Sequence, residues 1–171
     1  GNATGMDLYA QLNFDSFYAW LSYGLLYANE DLKDDNEGEY RRYTDQRHTI
    51  SFVGSINISN NWRFSLKAYY GSGFPYTPKT AVQTEQGIWI WQAGNRNSAT
   101  LPAYRRVDVR LSKVFEYTNF RISAFIDVSN VFNFENIQQL EYTTEPDVAK
   151  PAPDKILLWP ILPSFGVRFE F

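Results

Sequence analysis

The chain has 171 residues, a net charge of −3 and no cysteine. This excludes disulfides and thiolate metal sites and, with no basic stripe, argues against nucleic acid as a partner. Aromatic residues make up 18 % of it while the mean hydropathy is only −0.41, a pairing expected of sheets with one greasy and one wet face. No run approaches the ~18 apolar residues of a transmembrane helix, but spanning strands need only about 9–11 alternating residues and are not excluded. Gly1–Gly5 lacks the basic start and apolar run of a secretory leader, so the expectation is that a leader was removed or that the true N-terminus lies elsewhere.

Along the chain, period two dominates. Met6, Leu8, Ala10 and Leu12 alternate with polar neighbours, giving a strand over 6–13. The stretch 17–28 is apolar on both faces and is predicted as a strand without assigned faces. Ile50, Phe52, Ile56 and Ile58 mark a strand over 47–58, and Trp62, Phe64, Leu66, Ala68 and Tyr70 one over 62–71. Val107, Val109 and Leu111 alternate with Arg106, Asp108 and Arg110 in a strand over 104–115. Phe120, Ile122, Ala124, Ile126 and Val128 alternate with Arg121, Phe125 and Asp127 over 119–131. The last strand, 162–171, opposes Phe165, Val167, Phe169 and Phe171 to Gly166, Arg168 and Glu170. No segment has a sustained helical period.

The connections alternate in length. Residues 13–16, 59–61 and 116–119 are short polar turns, whereas 29–46, 72–103 and 133–162 are long. Short turns on one rim and long loops on the other is the arrangement of outer-membrane barrels, with the long loops extracellular. The fold class expected is therefore all-β, an antiparallel up-and-down transmembrane β-barrel. Val107, Val109, Leu111, Phe120, Ile122, Ile126, Phe165, Val167 and Phe169 should face lipid. Arg106, Asp108, Arg110, Arg121, Asp127 and Arg168 should line the lumen, because charges would be costly in a dry core. Lys113, in phase with Leu111, should lie near the periplasmic interface and snorkel to water. By parity, seven strands ending at the periplasm begin outside the cell, and seven would close only a narrow barrel. Residues 1–171 are therefore expected to be the C-terminal segment of one larger barrel domain, pairing at both edges with strands elsewhere.

Several motifs in order resemble the C-terminal half of TonB-dependent outer-membrane receptors, especially the Bacteroidetes type. They are Gly1–Leu8, Ala19-Trp20-Leu21-Ser22-Tyr23, Asp45-Gln46-Arg47-His48-Thr49, Tyr70–Thr77, Asn95-Arg96-Asn97, Leu101–Arg110 and Ile126–Asn133. The resemblance spans nearly the whole chain. It implies part of a roughly 22-stranded transporter for active nutrient uptake. The plug domain, the earlier strands and the segment that contacts TonB would lie outside this chain, and the other partners implied are the lipid bilayer and a small nutrient ligand. Ser164, Gly166, Phe169 and Phe171 resemble the terminal-strand signal read by the barrel-assembly machinery, which captures an open strand edge by strand addition.

Candidate ligand contacts at the loop tips are Trp89, Trp91, Asn95, Arg96 and Tyr142, although Ile88–Trp91 also reads as a short loop hairpin packed on its neighbours. His48, the only histidine, reads as a rim residue and not as a metal ligand. The acidic run Glu30–Glu39 reads as a solvated loop and lacks the spacing of a helical calcium loop. No nucleophile, base and oxyanion hole assemble, so no enzyme, metal or cofactor is expected. The rival readings are a passive outer-membrane barrel and a soluble β-sandwich that binds carbohydrate through its Trp residues.

Overall fold

A computed structural model of the chain describes residues 1–32, 37–143 and 151–171. In chain order the strands are β1 (Asn2–Asn13), β2 (Phe17–Glu30), β3 (Tyr40–Arg41), β4 (His48–Asn57), β5 (Trp62–Gly71), β6 (Pro75–Tyr76) and β7 (Lys79–Gln83). They continue with β8 (Trp89–Ala93), β9 (Ala99–Thr100), β10 (Tyr104–Glu116), β11 (Arg121–Ser129), β12 (Ile137–Glu141), β13 (Asp154–Leu157) and β14 (Leu162–Glu170). Among the described residues there is no helix.

The seven long strands form one antiparallel sheet in the order β1-β2-β4-β5-β10-β11-β14, each beside its predecessor in the chain, with β3 extending β2. Tight turns account for the pairings β1–β2, β4–β5 and β10–β11. Phe14 and Phe17 exchange backbone hydrogen bonds of 2.8 and 3.3 Å around Asp15 and Ser16, and the Tyr117 amide donates to the Phe120 carbonyl at 3.0 Å. Such short polar connections can join only adjacent antiparallel strands. The sheet is open: β1 pairs only with β2, and β14 only with β11.

Directly opposed residues of an antiparallel pair point to the same side, so the register alone sorts the side chains. One face carries Leu8, Leu21, Phe52, Leu66, Val107, Val109, Leu111, Ile126 and Phe165 with their in-phase neighbours, apolar from β1 to β14. The other carries Asp7, Ser22, Ser51, Lys67, Asp108, Arg110, Asp127 and Arg168. The two unassigned faces of β2 are resolved by its neighbours: Leu21 joins the apolar side and Trp20 the polar one.

Among the described residues only Ala19, Ala28 and Ala81 are buried hydrophobics, whereas Ile126 is 59 % and Phe165 86 % exposed. A two-layer domain would bury these side chains against a second element.

Two expectations need correction, and one feature is new. The first strand begins at Asn2, because its pairing with β2 runs four residues further than its own hydrophobic alternation. Phe120 sits in the turn before β11, stacked on Tyr117 at 4.5 Å, so the strand starts after it. Within the long connections, backbone groups are paired locally: β6 with β9, β7 with β8 and β12 with β13.

Candidate functional site

The polar face holds a ladder of ion pairs. Arg106 Nε donates to Asp108 Oδ1 at 2.7 Å, and that oxygen also accepts the Asn130 amide at 2.9 Å. Arg110 makes a two-pronged contact with Asp127, its Nη2 donating to Oδ2 at 2.6 Å, and its guanidinium lies 4.5 Å from the Phe125 ring centre. Arg121 pairs with Glu116, and Arg168 with Glu170 at 2.9 Å. All six residues expected to line a lumen thus lie on one face, opposite the apolar set. Each has a partner of opposite charge, which offsets part of the cost of taking charge out of water on a sheet surface.

The long connections meet at one end of the sheet and interlock. Asp45 is wholly buried. Its Oδ2 accepts from Arg41 Nε at 2.9 Å and from Arg47 Nη2 at 2.8 Å, while Arg41 Nη2 reaches the Asp45 carbonyl at 3.3 Å. Burial pushes the Asp45 carboxyl up, but the hydrogen bonds and charges of Arg47 and Arg41 outweigh it and hold the group below the ordinary carboxylate value. Arg47 also stacks on Tyr27 at 3.9 Å. Arg41 Nη1 donates to Thr100 Oγ1 at 3.0 Å, and Asn97 Nδ2 donates to the Arg41 carbonyl at 2.8 Å. Arg41, held by Asp45, therefore ties the β2–β4 connection to the β5–β10 connection.

The β11–β14 connection is tied by asparagines. Asn136 bonds both backbone groups of Arg105, its Oδ1 accepting and its Nδ2 donating at 2.8 Å. Asn130 and Asn133 take positive φ of 52°, which asparagine tolerates better than most side chains. The Asn130 side chain closes the Phe134 backbone at 2.9 and 3.0 Å, and Asn133 Oδ1 accepts the Ile161 amide at 2.9 Å.

The five loop-tip candidates fall into separate groups. Asn95 and Arg96 line a cleft of about 710 Å³ with Asn29, Glu39, Tyr40 and Arg41. Arg96 lies over the Tyr40 ring at 4.8 Å, and Glu39 accepts from Asn29 at 3.0 Å. Trp91 and Tyr142 lie elsewhere, meeting edge-on at 5.0 Å, with Trp91 Nε1 donating to the Thr143 carbonyl at 3.1 Å. Trp89 pairs with Gln83 at the far end of the β7–β8 hairpin, outside the cleft. His48 Nδ1 lies 3.0 Å from the Tyr23 hydroxyl at the rim. In the acidic run, Lys33–Asn36 lie outside the described residues, and Glu30 pairs with Arg42 at 3.3 Å.

In the terminal motif, Ser164 and Gly166 lie on the polar face and Phe169 on the apolar one, while Phe171 follows the strand fully exposed. Gly166 lies beneath the Phe125 ring, which an added Cβ would overlap.

Sequence reasoning named Asp45, Asn97 and Asn130 only as members of motifs, without their contacts, and missed Asn136. The one available signal was the crowding of Arg41, Arg42 and Arg47 around a single Asp. Compared with known proteins, the chain matches no protein-family model, and no curated protein matches it.

Proposed function

We propose that this chain is wall, rim and outer loops of a transmembrane β-barrel in the bacterial outer membrane, part of a TonB-dependent receptor that takes up a scarce nutrient. The observation that carries the reading is the apolar face, continuous across seven strands and uncovered among the described residues. Within the strands its only Lys or Arg residues are Arg105 and Lys113, both on β10 and opposite Tyr70 and Trp62. Eight residues separate them. At about 3.4 Å each and a tilt of about 40° they mark a band roughly 21 Å tall, close to the ~25 Å apolar band of outer-membrane barrels. Tyr23 and Tyr70 fall in Arg105's cross-strand row, and Tyr27 lies four residues beyond Tyr23 along β2. Amphipathic rings at both borders suit a lipid–water boundary.

In this reading the ion-paired face lines a hydrated lumen, the short turns are periplasmic and the loop cluster is extracellular. The open edges of β1 and β14 pair with further strands of a roughly 22-stranded barrel, since unmet backbone groups in hydrocarbon cost several kcal/mol each. The plug and the TonB contact belong to the remainder of the receptor, and Ser164–Phe171 is the segment offered to the assembly machinery. Asn95 and Arg96, at the polar cleft, are its nutrient contacts.

The test is the behaviour of the purified chain alone. With both edges open it should need detergent micelles to stay in solution. In micelles, protease should spare the strand segments while cutting 72–103 and 133–161. A monodisperse, detergent-free monomer would favour the soluble sandwich and sink the membrane reading.

A further inference from the structure

Resting on the membrane reading, we infer that Arg105 is a docking point for the phosphate of an anionic lipid headgroup in the leaflet nearest the long loops. Arg106, Arg110, Arg121 and Arg168 on the polar face each hold a carboxylate. Arg105 is exposed on the apolar face and takes part in none of the ion pairs among the described residues. Its guanidinium instead rests on an apolar surface, 4.9 Å from the Phe134 ring centre. Five N–H donors with no protein anion, at the border of a lipid-facing surface, are open to a phosphate from the membrane.

The site is built to hold the arginine in place. Asn136 clamps both backbone groups of Arg105, and the Asn130 side chain fixes the backbone of Phe134, whose ring faces the guanidinium. Cross-strand, the Tyr70 ring stands on the same side. A planar fork seated against the Phe134 ring keeps its outward donors open, and phosphate oxygens match that geometry in two bonds. Lys113 at the opposite border is an internal contrast. It lies 4.8 Å from both the Trp62 and Phe115 ring centres and offers a point charge without the fork. A zwitterionic headgroup carries its own cation beside the phosphate, so the fork selects headgroups with net negative charge.

The experiment is native mass spectrometry of the full chain in detergent micelles, titrated with phosphatidylglycerol or with phosphatidylcholine. Wild-type chain should retain phosphatidylglycerol in preference to phosphatidylcholine. R105Q should weaken that binding about tenfold, equivalent to about 1.4 kcal/mol. R105K should fall between the two, and R42Q, which removes an arginine already paired with Glu30, should bind like wild type. Millimolar inorganic phosphate should not displace the lipid. Wild-type affinity in R105Q, or in R105K should R105Q fail to fold, overturns the site. Full displacement by inorganic phosphate also overturns it, in favour of a soluble-anion site. Failure of the wild-type chain to enter micelles or vesicles removes the membrane reading itself, whereas normal entry with an unaltered R105Q removes only the lipid site.

Discussion

Removing the Asp45 carboxylate tests whether the outer loops form one cooperative unit. In D45A the charged bonds from Arg41 Nε and Arg47 Nη2 disappear together. Breaking a buried pair by deleting one partner typically costs about 3–5 kcal/mol, because a charge is stranded. Here the Arg41 and Arg47 side chains keep 31 % and 28 % of their exposure, so both can turn to water. We expect about 2–3 kcal/mol, felt locally. The bond from Arg41 to the Asp45 carbonyl is unaffected. Hydrogen exchange read at residues 41–47 and 97–100 should accelerate roughly 30- to 140-fold, since about 1.4 kcal/mol is tenfold. Amides in the middle of β5 and β10 should be unmoved.

The same site fixes a pH dependence. The folded carboxyl lies below its ordinary value, so its contribution is complete above the unfolded pKa of about 3.9 and is lost as pH falls through the folded value. Wild-type loops should therefore keep their protection at pH about 5 and lose it in stronger acid, while D45A should show no such step. Unchanged exchange in D45A at neutral pH would refute the claim that Asp45 couples the two connections.

Three further outcomes are expected. V109R, on the apolar face, should reduce vesicle insertion by about 2–4 kcal/mol, while S55R on the opposite face should insert normally; equal effects would show that neither face meets lipid. G166A should lower thermal stability by about 1–3 kcal/mol through overpacking against Phe125, and F125A in the same chain should relieve it. If the double variant is as unstable as G166A, the glycine is needed for a reason other than that ring. W91A should remove an edge-on ring contact of about 0.5–1.5 kcal/mol and the bond to Thr143, increasing proteolysis between 137 and 142; a cleavage pattern like wild type would mean the two hairpins stand independently.

The sequence by itself determined the seven long strands, their order and the faces of all but the second. Period two marks a strand wherever one side is apolar, as in Trp62–Tyr70 and Tyr104–Phe115, and turns as short as Asp15–Ser16 leave no partner but the neighbour. It also placed Arg106, Asp108, Arg110, Arg121, Asp127 and Arg168 on one side, because parity propagates along each strand. Only the tertiary structure decided what pairs with what across the loops. Arg110 meets Asp127 because the register sets them opposite, and a shift of one residue would have sent one of them to the other face. Leu21 and Trp20 could be assigned only through β1 and β4, since a strand apolar on both sides carries no parity signal. Asn97 and Asn136 act across 56 and 31 residues of chain on Arg41 and Arg105, and local pattern holds no record of contacts at such separations. Trp91 and Tyr142, read alike as loop tips, met each other, while Asn95 and Arg96 lined a cleft of their own. Loop direction is set by three-dimensional packing of connections that have no period of their own.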